Sequence, residues 1–186
     1  MDRIEATGPW RFVALDVETA NSAADSICQI GIALVGLDNR IQTWVTYVNP
    51  CSAFSAFNIR VHGIGPDHVA AAPAFAQALA PIEDLLARQP VIQHSTFDER
   101  AIAGACAALG RKPPAWRWGD SVRIARRAWP EFRGNGGHGL AHLRERLDLD
   151  FVHHDAGEDA RAAAEVVLHA ERHTGQPFEA LLGWTR

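Results

Sequence analysis

At 186 residues, with 47% hydrophobic content and a formal charge of −4, the chain has the size and apolar content of one domain with one core, expected over residues 1–186. This excludes a membrane span, since the best apolar run (residues 30–37) is far short of the roughly 20 residues a bilayer needs. It excludes a disulfide framework too: Cys28, Cys51 and Cys106 are odd in number, widely spaced, and read as small buried or semi-buried thiols.

In chain order, Met1-Asp-Arg-Ile-Glu5 lacks the basic start and apolar stretch of a signal peptide, so a cytoplasmic location is expected. Phe12-Val-Ala-Leu-Asp16 is a continuous apolar run ending in an acid, the pattern of a central strand buried on both faces. Residues 27–35 and 41–48 read as two more strands joined by a tight turn near Gly36-Leu-Asp-Asn39. After Asn49-Pro50 the pattern becomes irregular as far as Val61-His-Gly-Ile64. Helical spacing resumes over 74–88, with Phe75, Leu79, Ile82 and Leu86 on one side. A short strand at 91–94 precedes an amphipathic helix over 97–109, and 116–121 reads as a fifth strand. Helices follow at 122–128, 140–147, 156–173 and 178–182. Three meandering strands followed by strands alternating with helices predict an α/β fold: a five-stranded mixed sheet with helices on both faces.

The negative total hides a local asymmetry. Arg111, Lys112, Arg117, Arg123, Arg126, Arg127 and Arg133 stand against only Asp120 and Glu131. Such a strip suits phosphate contacts as well as it suits an ordinary solvated helix face.

Carboxylates occur where burial should disfavour them. Strand side chains alternate, so Asp16 and Glu18 project from the same face at the end of a buried strand. Two adjacent anions there repel and lose hydration unless a cation joins them, or unless the strand end is open to water. Ser95 or Thr96 can cap the helix over 97–109, with Asp98 or Glu99 completing a capping box. Asp98 points the same way as Ala101, Ile102 and Ala105, whereas Glu99 and Arg100 point outward. Further on, Asp155 and Glu158 form a capping box that starts a helix at Ala156. That places Asp159 on the stripe of Ala162, Ala163, Val166 and Ala170, with His154 on the loop just ahead. Four inward-facing acids can bind two divalent ions, and hard oxygen donors suit Mg²⁺ or Mn²⁺ over zinc. A histidine beside them suits the role of proton acceptor for an attacking water.

At these residues the chain resembles the DEDDh 3′-to-5′ exonucleases, most closely the branch like the epsilon subunit of DNA polymerase III. The first motif stands as Val13-Ala-Leu-Asp16-Val-Glu18-Thr19-Ala20, the second as Ser95-Thr-Phe97-Asp98, and the third as His154-Asp-Ala-Gly-Glu-Asp159-Ala160. Asn49-Pro50, Val61-His62-Gly63-Ile64, Asp120-Ser121 and Leu140-Ala-His-Leu143 fall where that family has landmarks, so the motif-bearing core runs from about 12 to 170. The resemblance implies an RNase H-like fold. It implies that Asp16, Glu18, Asp98 and Asp159 hold the two cations, with Asp16 bridging them, and that His154 is the general base. By the same resemblance Val17, Thr19 and His62 contact the terminal nucleotide and Phe97 helps wall its base. The implied substrate is a single-stranded or frayed 3′ end of DNA or RNA, and the product a nucleoside 5′-monophosphate. One departure bears on nucleotide contacts: Gln93-His94 stands where the family has His-Asn. Because the sequence stops at Arg186 without a recognisable binding tail, a stand-alone enzyme is expected, ahead of a polymerase-bound proofreading unit or an idle nucleic-acid-binding module.

Overall fold

The ten-residue strand β1 (Trp10–Thr19) is the axis around which the rest of the fold is arranged. In the computed structural model, which describes residues 8–151 and 153–184, it is flanked by β2 (Ile27–Gly36) and β4 (Pro90–Gln93). Outside these lie β3 (Ile41–Tyr47) and β5 (Arg117–Asp120), giving the order β3-β2-β1-β4-β5. The β1–β2 and β2–β3 pairs are antiparallel, β1–β4 and β4–β5 parallel. This is the expected mixed sheet of the RNase H-like type. β1 is longer than the apolar run 12–16 suggests, because its pairing with β2 continues through Glu18↔Gln29 and Thr19↔Ile27.

Alternation along β1 sorts the core into two layers. Val13, Leu15 and Val17 pack with residues of α3 (Phe75–Arg88) and α4 (Phe97–Ala108). Phe12 and Ala14 face the opposite layer of α5 (Ser121–Ala128), α6 (Leu140–Leu147), α7 (Ala156–Thr174) and α8 (Phe178–Leu182). The 19-residue α7 is rich in alanine, and that lets its backbone lie close to the sheet. The closest approach is at Gly31, where a Cβ would stand 2.1 Å from the carbonyl of Ala156. Only glycine fits there. No helix among the described residues is long and apolar enough to cross a membrane.

Three local expectations are corrected. The stretch after Asn49-Pro50 is not irregular: it holds α1 (Ala56–His62) and α2 (Pro66–Val69). α1 is closed at its start by the Ser55 hydroxyl, which accepts from the Asn58 amide, and at its end by Gly63 at φ 75°. It buries none of its residues, so it carries no apolar periodicity to read. Neither Ser95 nor Thr96 caps α4 with its side chain; the Gln93 amide oxygen instead accepts from the Glu99 amide at 3.0 Å. Cys51 is exposed, unlike the buried Cys28 and Cys106.

Candidate active site

The sheet's chemistry collects where β1, β4 and β5 end together. Asp16 and Glu18 continue the face of Phe12 and Ala14, so they point toward the first turn of α7, where Asp159 stands. One oxygen from each of Asp16, Glu18 and Asp159 can be chosen so that all three lie within 4.8 Å of one another. Asp98 comes from the other layer, at the start of α4, and its Oδ1 accepts from the Val17 amide at 3.0 Å. All four acids line one cleft of about 530 Å³, together with Val17, His94, Phe97, Val122, Arg126, His138, His153 and His154.

The first turn of α7 is held unusually firmly for a helix start. Asp155 Oδ1 accepts from the Gly157 and Glu158 amides at 3.0 and 3.1 Å, and the Asp155 carbonyl accepts from Asp159 N at 2.8 Å. Ala156 N donates to the buried Gln29 on β2 at 3.0 Å. Three of the amides that a helix start leaves without partners, those of Ala156, Gly157 and Glu158, are thus satisfied. The capping box is half formed: Asp155 caps as expected, but Glu158 turns to Arg161 at 2.6 Å instead of reaching back.

Electrostatically the site is unbalanced. Among the described residues no Lys or Arg pairs with Asp16, Glu18, Asp98 or Asp159. Burial, then the charges of Asp98, Asp159 and Glu18, holds Asp16 well above the usual carboxylate range. Glu18 is pushed up to about 8 by burial and by Asp159 and Asp98. Burial takes Asp98 up to about 7, against the pull of the Val17 hydrogen bond. Asp159 is raised by burial and restrained by His153 and the His154 amide. Buried carboxylates that also repel one another in this way form a donor set that fits hard divalent cations.

The histidines divide their roles. His154 occupies the left-handed region at φ 71°, with its amide donating to Asp159 Oδ2 at 2.9 Å. Its imidazole is half-buried, and burial followed by the His153 charge lowers its affinity for a proton. His153, passed over in the sequence, binds Asp159 through Nδ1 at 2.9 and 3.0 Å and stacks on His154 with ring centroids 4.0 Å apart. Its signal was the adjacent His-His pair itself.

Of the expected nucleotide contacts, Val17 and Phe97 line the cleft, Phe97 with 40% of its surface exposed. Thr19 and His62 are brought together beside it but face inward. His62 Nε2 donates to the Thr19 carbonyl at 3.1 Å, and its Nδ1 accepts from the Ile64 amide at 3.0 Å. Asn58 donates to the same Thr19 carbonyl at 2.8 Å. At the departure Gln93-His94, Gln93 serves as the helix cap described above. His94 Nδ1 meets Ser121 Oγ at 2.8 Å, and burial takes its pKa down to about 4.

The basic strip comes apart in three dimensions. Arg111 pairs with Glu83 at 2.6 Å, and Arg117 lies 4.0 Å over the ring of Trp184. Arg123 donates to the Leu182 carbonyl at 3.3 Å and Arg127 to the Ala180 carbonyl at 3.1 Å, both fastening α8. Arg126 alone of the strip lines the cleft.

Comparison with known proteins agrees with this geometry. The exonuclease family model RNase_T matches residues 13–167. A PolC-type DNA polymerase III from Caldanaerobacter subterraneus subsp. tengcongensis is 26% identical over 168 residues, which cover 88% of this chain and 12% of that protein. The chain therefore spans about an eighth of that relative. Among solved structures, exonuclease X in complex with 5′-overhanging duplex DNA superposes with a TM-score of 0.74 at 20% identity, covering 94% of this chain and 99% of the other. The nuclease domain of 3′hExo, described as a DEDDh family member bound to rAMP, gives 0.72 at 19% identity, covering 89% and 94%. These two likenesses are of fold.

Proposed function

The chain belongs to the RNase_T exonuclease family, in its DEDDh branch, and from that premise we propose that it shortens single-stranded or frayed 3′ ends of DNA, and of RNA, one nucleoside 5′-monophosphate at a time. The observation that carries this reading is the cleft in which Asp16, Glu18, Asp98 and Asp159 converge beside His154. The family implies divalent-metal dependence. Our reading is that Asp16, Glu18, Asp98 and Asp159 would hold two ions of Mg²⁺ or Mn²⁺. Ions bound there would supply a more acidic water and charge to stabilise the leaving oxygen.

The chain's own residues then have distinct tasks. Val17 and Phe97 seat the terminal nucleotide, with Thr19 and His62 shaping the far wall of its site. His154, kept neutral by burial, accepts the proton of the attacking water on its imidazole. His153 holds Asp159 in place from behind. We read residues 1–186 as one domain of this activity. The three free thiols, Cys51 exposed among them, favour a reducing compartment such as the cytoplasm.

Proofreading beside a polymerase is a second reading, favoured by the PolC-type relative. A catalytically idle module is disfavoured by the presence of all four acids and His154. The deciding experiment is product analysis on matched 3′-labelled DNA and RNA strands with Mg²⁺, Mn²⁺ or excess chelator. Labelled mononucleotide as first product, abolished by chelator, is expected; internal fragments, or full activity in chelator, would overturn the proposal.

A further inference from the structure

We propose that a groove continuing from the catalytic cleft, lined by Arg126, Arg133 and the bare backbone of Gly134 and Gly137, holds the phosphodiester backbone of the strand upstream of the nucleotide being removed. This rests on the functional reading above and extends it to a substrate path. The groove is a cavity of about 570 Å³ that shares Arg126 and His138 with the cleft, so the two lie side by side.

Its position follows from the sheet. Thr19 and His62 flank the acids on the β1 side, while Arg126, on α5, follows β5 at the opposite side. A 3′ nucleotide seated against Val17 and Phe97 leaves the rest of its strand to depart toward β5. There the lining offers two arginines and no carboxylate. Arg123 and Arg127 on the same helix are occupied by carbonyls of α8. Arg126 and Arg133, both exposed, have no side-chain hydrogen bond or ion pair among the described residues. His138 is buried and its Nε2 is taken by the Trp129 carbonyl at 2.8 Å, so that nitrogen is not offered to a strand.

The loop adds a second observation. Gly134 and Gly137 stand at φ 78° and 80°, a backbone shape that side chains rarely adopt, and a Cβ on either would meet nothing within 4 Å. Packing therefore does not require glycine at these two positions. What glycine provides is left-handed backbone with nothing projecting from it, over which a sugar-phosphate chain can lie closely. The chemistry recognised is the phosphodiester itself, shared by DNA and RNA, with no base reading.

The test compares a 3′-labelled strand of about ten nucleotides with the p-nitrophenyl ester of thymidine 5′-monophosphate, which fills the nucleotide site but has no upstream phosphate. Arg133→Ala, remote from the acids, is expected to raise KM for the strand several-fold and leave kcat and KM for the ester unchanged. Arg126→Ala/Arg133→Ala should do more, and Arg126→Lys/Arg133→Lys should restore most of the loss. In parallel, anisotropy of the 5′-labelled strand with chelator present gives the salt dependence of binding, whose slope should fall by about 0.7 per phosphate contact removed. Equal effects of Arg133→Ala on strand and ester, or an unchanged salt slope, would overturn the groove. If the wild-type protein released no mononucleotide, the functional reading would fail alone, and the salt slope would still decide the groove.

Discussion

β1 and α7 run antiparallel and meet at both ends, and the two meetings solve the same electrostatic problem in opposite ways. Where β1 begins and α7 ends, Glu171 receives Arg11 through both carboxylate oxygens, at 2.6 and 2.8 Å, and the Phe178 amide at 2.9 Å. Where β1 ends and α7 begins, Asp16 and Glu18 face Asp159 with no Lys or Arg partner among the described residues. One carboxylate is neutralised by the fold; the others are left for something the fold does not contain. Charge satisfied internally contributes to folding, whereas charge left unsatisfied marks where binding must complete the structure.

The contrast can be broken at either end. The largest effect should come from Asp16→Asn. A general base contributes roughly 10²–10⁴-fold and electrostatic stabilisation about 10²–10³-fold, so a change that disables both should cost about 10⁴-fold or more in kcat. Its metal-free Tm should rise as repulsion is removed, and the Tm gain on adding millimolar Mn²⁺ should shrink. A metal-free Tm that falls would show that Asp16 is stabilising and refute the contrast. Next, His154→Ala should lose about 10²–10⁴-fold in rate while its Mn²⁺-induced Tm gain stays close to wild type. Wild-type rates at neutral pH would remove His154 from the mechanism.

Titration sharpens the comparison further. Glu18, raised from its ordinary 4.5 to about 8, binds a proton more tightly folded than unfolded. Asp98, raised from 3.8 to about 7, behaves alike. Their contribution to stability is therefore complete below about pH 4 and lost as pH rises through 7 to 8. Metal-free Tm should fall across that interval, and Mn²⁺ should flatten the decline; a metal-free Tm that climbs would contradict the assignment. Gly31→Ala forces a methyl against Ala156 and should cost about 1–3 kcal/mol, roughly 2–12 °C in Tm, with activity falling as Asp159 shifts. The smallest effect belongs to the satisfied end: Arg11→Ala should lower stability by about 1–3 kcal/mol and leave kcat within twofold or so. A large loss of kcat there would mean that the two ends are not independent.

Much of this was readable in the chain because burial imposes periodicity. Asp98 and Asp159 sit on stripes that pack, so helical spacing exposes them as acids out of place. Asp16 and Glu18 are betrayed by the apolar run before them. α1 was not readable, since seven residues that bury nothing leave no stripe; Ser55 and Gly63, eight residues apart, were its only marks. The arginine strip misled for a different reason. Arg123, Arg126 and Arg127 are close in sequence, but Arg123 and Arg127 turn to carbonyls of α8 while Arg126 lines the cleft, and linear proximity carries no record of which carbonyls an arginine will meet. His153 shows the limit of spacing rules: five residues before Asp159 identified His154, while the ring nitrogen bonded to that acid belongs to its neighbour.

The satisfied amides of Ala156, Gly157 and Glu158 at the start of α7 have a kinetic consequence. Helix ends ordinarily fray, and their amide hydrogens exchange with solvent through small openings that cost little. Here Ala156, Gly157, Glu158 and Asp159 are tied to Gln29 and Asp155, so the turn that presents Asp159 to the cleft cannot open without detaching from β2. Deuterium should enter these amides at rates nearer to those of the helix interior than to those of a free end. Slow exchange there would mean that Asp159, one of the mutually repelling acids, is held on a turn as rigid as the helix interior.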